Sequence, residues 1–260
     1  MTRTFIFPIL ILVFFAGLGA IGWHFVKEKI YVKPEYLLSA DKIVVSSPPE
    51  WIPDQFVDEV LRTSGLNHTG SLLDKTLPHK LAEAFVAHPW VEKVEQVELR
   101  YPSGAIVQLT YRVPAAVVEI PQRRFLPVDR NGIVLPPDYL TQPQWSKHLL
   151  IHGVQSLPLG AVGMPWGDPL VQTAAQLAES LSDIAAPLKL SGIIPSTEAV
   201  PSGTRIVCQL RTASGTIFHW GTFVPDDPKN EDKKKRLWDL REQFRSLDSV
   251  PENFRDLSKE

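Results

Sequence analysis

Few residues in this chain are of a type and spacing that could do chemistry. His79 and His88 lie nine residues apart on one candidate helix. At 3.6 residues per turn that separation points them about half a turn apart, so they are not expected to share a metal ion. His148 and His152 straddle a strand at even spacing and share a face, but no acidic or cysteine ligand lies near them in sequence. Solvated or capping histidines are therefore expected. Cys208 is the only cysteine, which excludes an internal disulfide and any cysteine-rich zinc or iron-sulfur site. Its setting, Ile206-Val207-Cys208-Gln209-Leu210, reads as a buried strand thiol and not a nucleophile. Asp129, beside Arg130 and Asn131, reads as a turn aspartate that hydrogen-bonds its own downstream backbone. No nucleophile elbow, phosphate-binding glycine loop or helix-borne His-Glu-x-x-His is present. The expectation is a chain with no catalytic residues, no metal and no cofactor.

A formal net charge of -2 gives no case for nucleic acid, which needs concentrated basic surface. The one basic run, Asp232-Lys233-Lys234-Lys235-Arg236, suits a solvated helix face, with anionic lipid or an acidic partner segment as the sharper alternative. Trp51, Trp145, Trp166 and Trp220 are anchors large enough to fill a core or an interface. Trp90, after Pro89 at a helix-to-strand corner, is assigned to a core.

The elements that must position these residues begin with a long apolar run. From Phe5 to Val26 there is no Asp, Glu, Lys or Arg, and about 20 apolar residues suffice to cross a bilayer as a helix. The expected layout is a short tail over 1–4, a transmembrane helix over 5–26 and a linker over 27–41. A cleaved signal with Arg3 at its start and Gly17, Gly19 and Ala20 near a cut site is the competing reading. Apolar character continues through Ile21, Trp23 and Phe25, which favours the anchor. Either reading exports the rest of the chain.

Ile43-Val44-Val45 predicts a short strand stopped by Pro48-Pro49. A helix comes next with Phe56, Val57, Val60 and Leu61 on one face and Gly65 at its end, then a second over about 74–88 with Leu77, Leu81, Ala84 and Phe85 at helical spacing. The period then changes to two. Val97, Leu99 and Tyr101 alternate up to Pro102-Ser103-Gly104, and Val107, Leu109, Tyr111 and Val113 continue beyond it, which predicts a β-hairpin. Strand, helix, helix, strand, strand makes a compact first module.

That order carries Gly65-Leu66-Asn67 between the helices, Pro89-Trp90-Val91 before the hairpin, Arg100-Tyr101-Pro102 at its turn and Arg112-Val113-Pro114-Ala115 at its end. Together these segments resemble the POTRA domain of the FtsQ/DivIB cell-division family. The chain departs from that family at Tyr111, where a glutamate usually precedes the arginine. The resemblance continues through Phe125-Leu126-Pro127-Val128-Asp129-Arg130-Asn131-Gly132-Ile133-Val134-Leu135, which looks like the hairpin opening the family's second domain. Asn131-Gly132 suits a turn that needs positive φ. Further strands are expected over 149–153, 188–194, 204–211 and 216–222. A helix capped by Asp168-Pro169 and an amphipathic helix over 233–247, with Leu237, Leu240 and Phe244 inward, accompany them. The run Gly215-Thr216-Ile217-Phe218-His219-Trp220-Gly221 resembles the family's penultimate strand. Asp256-Leu257 matches the start of its last, where Ser258 stands in place of an arginine and Glu260 closes the sequence.

The implied fold class is α+β: an N-terminal transmembrane helix, a POTRA-like βααββ domain over 42–119, and a mostly antiparallel β domain with flanking helices over 120–260. The resemblance implies a noncatalytic, single-pass scaffold of the bacterial divisome, in the cytoplasmic membrane with its domains extracytoplasmic and enriched at the septum. Its partners would be small bitopic coiled-coil proteins like FtsB and FtsL. β-Augmentation, in which a partner strand joins a sheet edge, is the expected mode. Thr216, Phe218, Trp220, Phe254, Asp256 and Leu257 are the candidate partner-binding residues. A POTRA-bearing secretion component is the runner-up, although residues after 120 lack the succession of alternating strands that an outer-membrane barrel requires. A membrane-anchored periplasmic enzyme ranks third.

Overall fold

The computed structural model describes residues 14–19, 21–23, 34–66, 70–121, 124–137, 147–201 and 203–258. They divide into two compact units, one made of residues 1–49 and 53–110, the other of 50–52 and 111–260. The transmembrane helix expected over 5–26 is not shown. No helix among the described residues is long and apolar enough to cross a membrane. Residues 14–19 and 21–23 are helical and exposed. The rest of that run lies outside the described residues.

The first unit runs β1 (Ile43–Val45), α1 (Phe56–Ser64), α2 (Leu77–Val86), β2 (Val91–Arg100) and β3 (Gly104–Tyr111). Its sheet has the order β1-β3-β2, with β1 parallel to β3 in the register Ile43 to Ala105. Spacing by three and four residues places Phe56, Val60 and Leu61 of α1 and Leu77, Leu81 and Phe85 of α2 on buried faces. Phe56 and Phe85 meet at 5.8 Å between ring centroids. Trp90 is fully buried. α1 stops at Gly65, whose φ of 72° lets its N–H turn back to the carbonyls of Arg62 and Leu61.

The second unit holds β4 (Pro114–Ile120), β5 (Arg124–Asp129), β6 (Leu149–Ile151), α3 (Pro169–Ser180), α4 (Ser182–Ala185), β7 (Leu190–Val200), β8 (Gly203–Thr212), β9 (Ile217–Gly221) and α5 (Lys229–Phe244). Its six-stranded sheet has the order β5-β4-β6-β7-β8-β9. The sheet is mixed: β4 with β6 and β6 with β7 are parallel pairs. β4 with β5, β7 with β8 and β8 with β9 are antiparallel. A mixed sheet of this kind needs crossover connections, and α3 supplies the one between β6 and β7. The fold is α+β with mixed sheets.

Residues of α3 and α5, among them Val171, Ala174, Leu177, Leu237 and Leu240, share one core with Val118, Ile193, Leu210, Phe218 and Trp220 from the strands. The side chains between them along the sheet stay open: Gln209 and Ile217 are half-buried, and Arg211 and His219 are exposed. α3 starts as its sequence predicts. Asp168 accepts from the N–H of Leu170 at 2.9 Å and from the Ser156 hydroxyl at 2.5 Å, and that hydroxyl accepts from buried Trp166 Nε1 at 3.1 Å.

Candidate strand-docking edge

β9 closes one side of the second sheet, and its position follows from the turn before it. Thr212 is buried; its hydroxyl accepts from the N–H of Thr216 at 3.1 Å and donates to Asp248 Oδ1 at 2.7 Å. The Ser214 hydroxyl also donates to Asp248. These two donors, Ser214 first, hold the Asp248 carboxyl below its usual range. The tight turn over 213–215 is thereby fastened, and Ile217 enters the strand opposite Arg211.

Alternation then sorts β9 into two faces. Phe218 and Trp220 are fully buried, whereas His219 is exposed. The outer side of β9 carries the chain's own last described residues. His219 donates its N–H to the carbonyl of Arg255 at 2.8 Å, and its carbonyl accepts from the N–H of Leu257 at 2.8 Å, a parallel bridge between His219 and Asp256. Three anchors hold this tail. Leu257 is buried, Arg255 Nε donates to the Val250 carbonyl at 2.8 Å, and Phe254 lies 5.9 Å from Phe244. Asp256 Oδ1 accepts from the N–H of Ser258 at 3.0 Å and turns the backbone beyond the bridge.

Two residues that sequence reasoning missed shape the end of β9. Gly221, at φ 77°, lies so near the tail that a Cβ there would come 2.7 Å from the Cβ of Ser258. Lys233 Nζ donates to the carbonyls of Trp220 at 2.8 Å and Thr222 at 3.2 Å, and sits 5.2 Å from the centre of the Trp220 ring. Burial pushes this ammonium below its usual range against the pull of Asp227. It was legible only as one cation in a basic run. That run is not a uniform solvated face: Lys234, alongside, pairs with Glu231 at 2.8 Å.

The candidate residues thus divide. Phe218, Trp220 and Leu257 put their side chains in the core, so only their main chain can serve an edge. Thr216 belongs to the turn, with its carbonyl accepting from the N–H of Thr212 at 2.9 Å. Phe254 is 41% exposed and Asp256 is bridged to His219, so these two lie at the surface beside the strand.

His79, His88, His152 and Asp129 each have partners away from this edge. His79 faces Glu83 at 3.2 Å and His88 faces Glu59 at 3.8 Å. His152 does have an acidic neighbour, brought from 33 positions away: its Nδ1 lies 2.6 Å from Glu119 Oε2. Asp129 Oδ1 accepts from the N–H groups of Asn131 and Ile133, both at 2.9 Å, while Oδ2 accepts from Arg112 at 2.8 Å. Burial pushes the Cys208 thiol up to about 12. No group of three or more His, Cys, Asp or Glu among the described residues is placed to hold a metal ion.

No protein-family model matches this chain, and no curated protein matches it.

Proposed function

We propose that this protein is a noncatalytic scaffold of the bacterial cell-division machinery, working on the extracytoplasmic side of the cytoplasmic membrane at the septum. In this reading its second unit receives an extended segment of a partner on the edge formed by β9 and residues 254–258. The observation that carries it is the sparse cover of β9. Among the described residues the tail's main chain bridges the strand at His219 alone, while Ile217, two positions before it, turns its main-chain groups toward the same edge by alternation. An added strand satisfies such groups, each hydrogen bond contributing about 1 kcal/mol net. The segments that resemble the FtsQ/DivIB family support the cellular setting, and small bitopic coiled-coil proteins like FtsB and FtsL are the proposed partners.

Co-purification of the full chain with FtsB-like and FtsL-like proteins from the same source tests this. Ile217→Pro removes a main-chain N–H on the outer side, whereas Phe218→Pro removes one that bonds β8. The reading expects Ile217→Pro to stay folded and lose the partners, and Phe218→Pro to lose both. Partners retained by a folded Ile217→Pro chain, or never recovered by the unaltered chain, would overturn it.

A further inference from the structure

The ribbon of β7 and β8 outruns its neighbours. β6 pairs with β7 only at Gly192 and Ile193, yet β7 continues to Val200. β9 reaches β8 only from Cys208 onward, yet β8 starts at Gly203. Residues 196–199 and 203–205 are exposed, and a two-stranded ribbon alone is marginal in water. One cross-strand ion pair, Arg205 with Glu198 at 2.7 Å, braces it.

The direction of its free hydrogen-bonding groups follows from β9. His219 gives both main-chain groups to the tail, so Gln209, its partner on β8, faces it without exchange, and Leu210 exchanges bonds with Phe218. Counting back by twos, Ile206 and Thr204 turn their N–H and C=O toward the side that β9 occupies further along. No strand among the described residues pairs with β8 there. β9 stops short because Lys233 binds the carbonyls of Trp220 and Thr222 as the chain departs for α5. A notch remains in line with β9, bordered by a groove of about 400 Å³ whose lining includes Arg205, Val207, Gln209, His219 and Ser258.

We propose that this notch over residues 203–207 is a second strand-docking site, and that it takes an extended segment of a different protein. Donors and acceptors repeating at strand spacing select another extended main chain. A second copy of this chain is a poor occupant. Antiparallel self-pairing with Thr204 opposite Ile206 sets Arg205 directly against Arg205, and like charges so placed are destabilising. Sliding toward the ribbon's base sets Thr204 against Cys208, which Gly221 already faces. Sliding toward its tip leaves Ile206 facing the turn. An acidic side chain on a foreign strand, placed opposite Arg205, completes a row with Glu198. This inference rests on the ribbon's geometry and does not require the divisome reading.

The probe is a random peptide library displayed on phage and selected against the full chain, with the enriched peptides synthesised. Amide hydrogen exchange is then read residue by residue. The free chain should exchange Thr204 and Ile206 fast and Arg205 and Val207 slowly, and a bound peptide should slow the first pair. Thr204→Pro, which removes an outward N–H, should keep the fold and weaken peptide binding about tenfold or more; Arg205→Pro should open the ribbon. The proposal is overturned if Thr204 and Ile206 are already slow in the free chain. It is equally overturned if no selected peptide slows them, or if peptides bind the Thr204→Pro chain undiminished.

Discussion

The two sheets treat their edges in opposite ways. β2 is a ten-residue edge strand in the first unit, and five of its residues, Glu92, Lys93, Glu95, Glu98 and Arg100, carry charge. Lys93 pairs with Glu95 at 2.6 Å and Arg100 with Glu98 at 3.1 Å along the same strand. A foreign strand laid there would have to accommodate that row of solvated charge, so such an edge discourages pairing. β9 and the first half of β8 carry Ile217, Phe218, His219, Trp220 and Gly221, and Gly203, Thr204, Arg205, Ile206 and Val207, with Arg205 the single formal charge. Hydrogen-bonding edges are common to both sheets; the two differ in the charge they carry.

The largest effect expected on this contrast comes from removing what holds β9 in place. Trp220→Ala deletes a fully buried indole and should cost about 3–5 kcal/mol, read as a lowered denaturant midpoint for the second unit. The contrast itself can be inverted next. Replacing Lys93, Glu95 and Glu98 together by threonine gives β2 the chemistry of β9, and light scattering should then show concentration-dependent association that the unaltered chain lacks. If the triple variant stays monodisperse, charge is not what keeps that edge alone.

A smaller effect concerns pH. Burial holds the His88 imidazole below its usual range, with Glu59 pulling the other way. A histidine whose folded pKa lies below its unfolded value of about 6.5 is neutral in the folded state while the unfolded chain takes up a proton, so stability falls as pH drops below about 6.5. His88→Gln should flatten that part of the first unit's pH–stability curve. The smallest expected change is at Asp74, whose carboxyl is held down at about 2, first by Lys80 and then by the N–H of Thr76. This site is largely solvated, so Asp74→Asn should cost no more than about 1 kcal/mol. That loss would be absent well below the unfolded carboxylate range of about 4, where the native group is itself becoming protonated.

Much of the element order was legible because local signals were strong. Phe56, Val60 and Leu61 write a helical period, Gly65 supplies its stop, and Asp168-Pro169 a cap and first turn. Other features were set by tertiary pairing. β4 passed unread: Pro114-Ala115-Ala116-Val117-Val118 has no alternation because, lying between β5 and β6, the strand buries Val117 on one face and Val118 on the other. The parallel pairs on either side of β6 left no trace in a three-residue strand. β7 was expected to end at 194, yet it runs to Val200 because β8 pairs with it along its length. At the candidate edge, Phe218 and Trp220 stood out as large aromatics, and large aromatics go to cores. Gly221 and Lys233, which decide where β9 ends, act through a missing Cβ and a pair of backbone carbonyls, neither of which has a local sequence signature.

The most direct test of the docking account is residue-resolved amide hydrogen exchange on the full chain, alone and with a purified FtsB-like partner. Slower exchange confined to 217–221 and 255–258, with β2 unchanged, is the predicted result. Unchanged exchange along β9 and the tail while the partner is bound, or protection that falls on β2 instead, would contradict it.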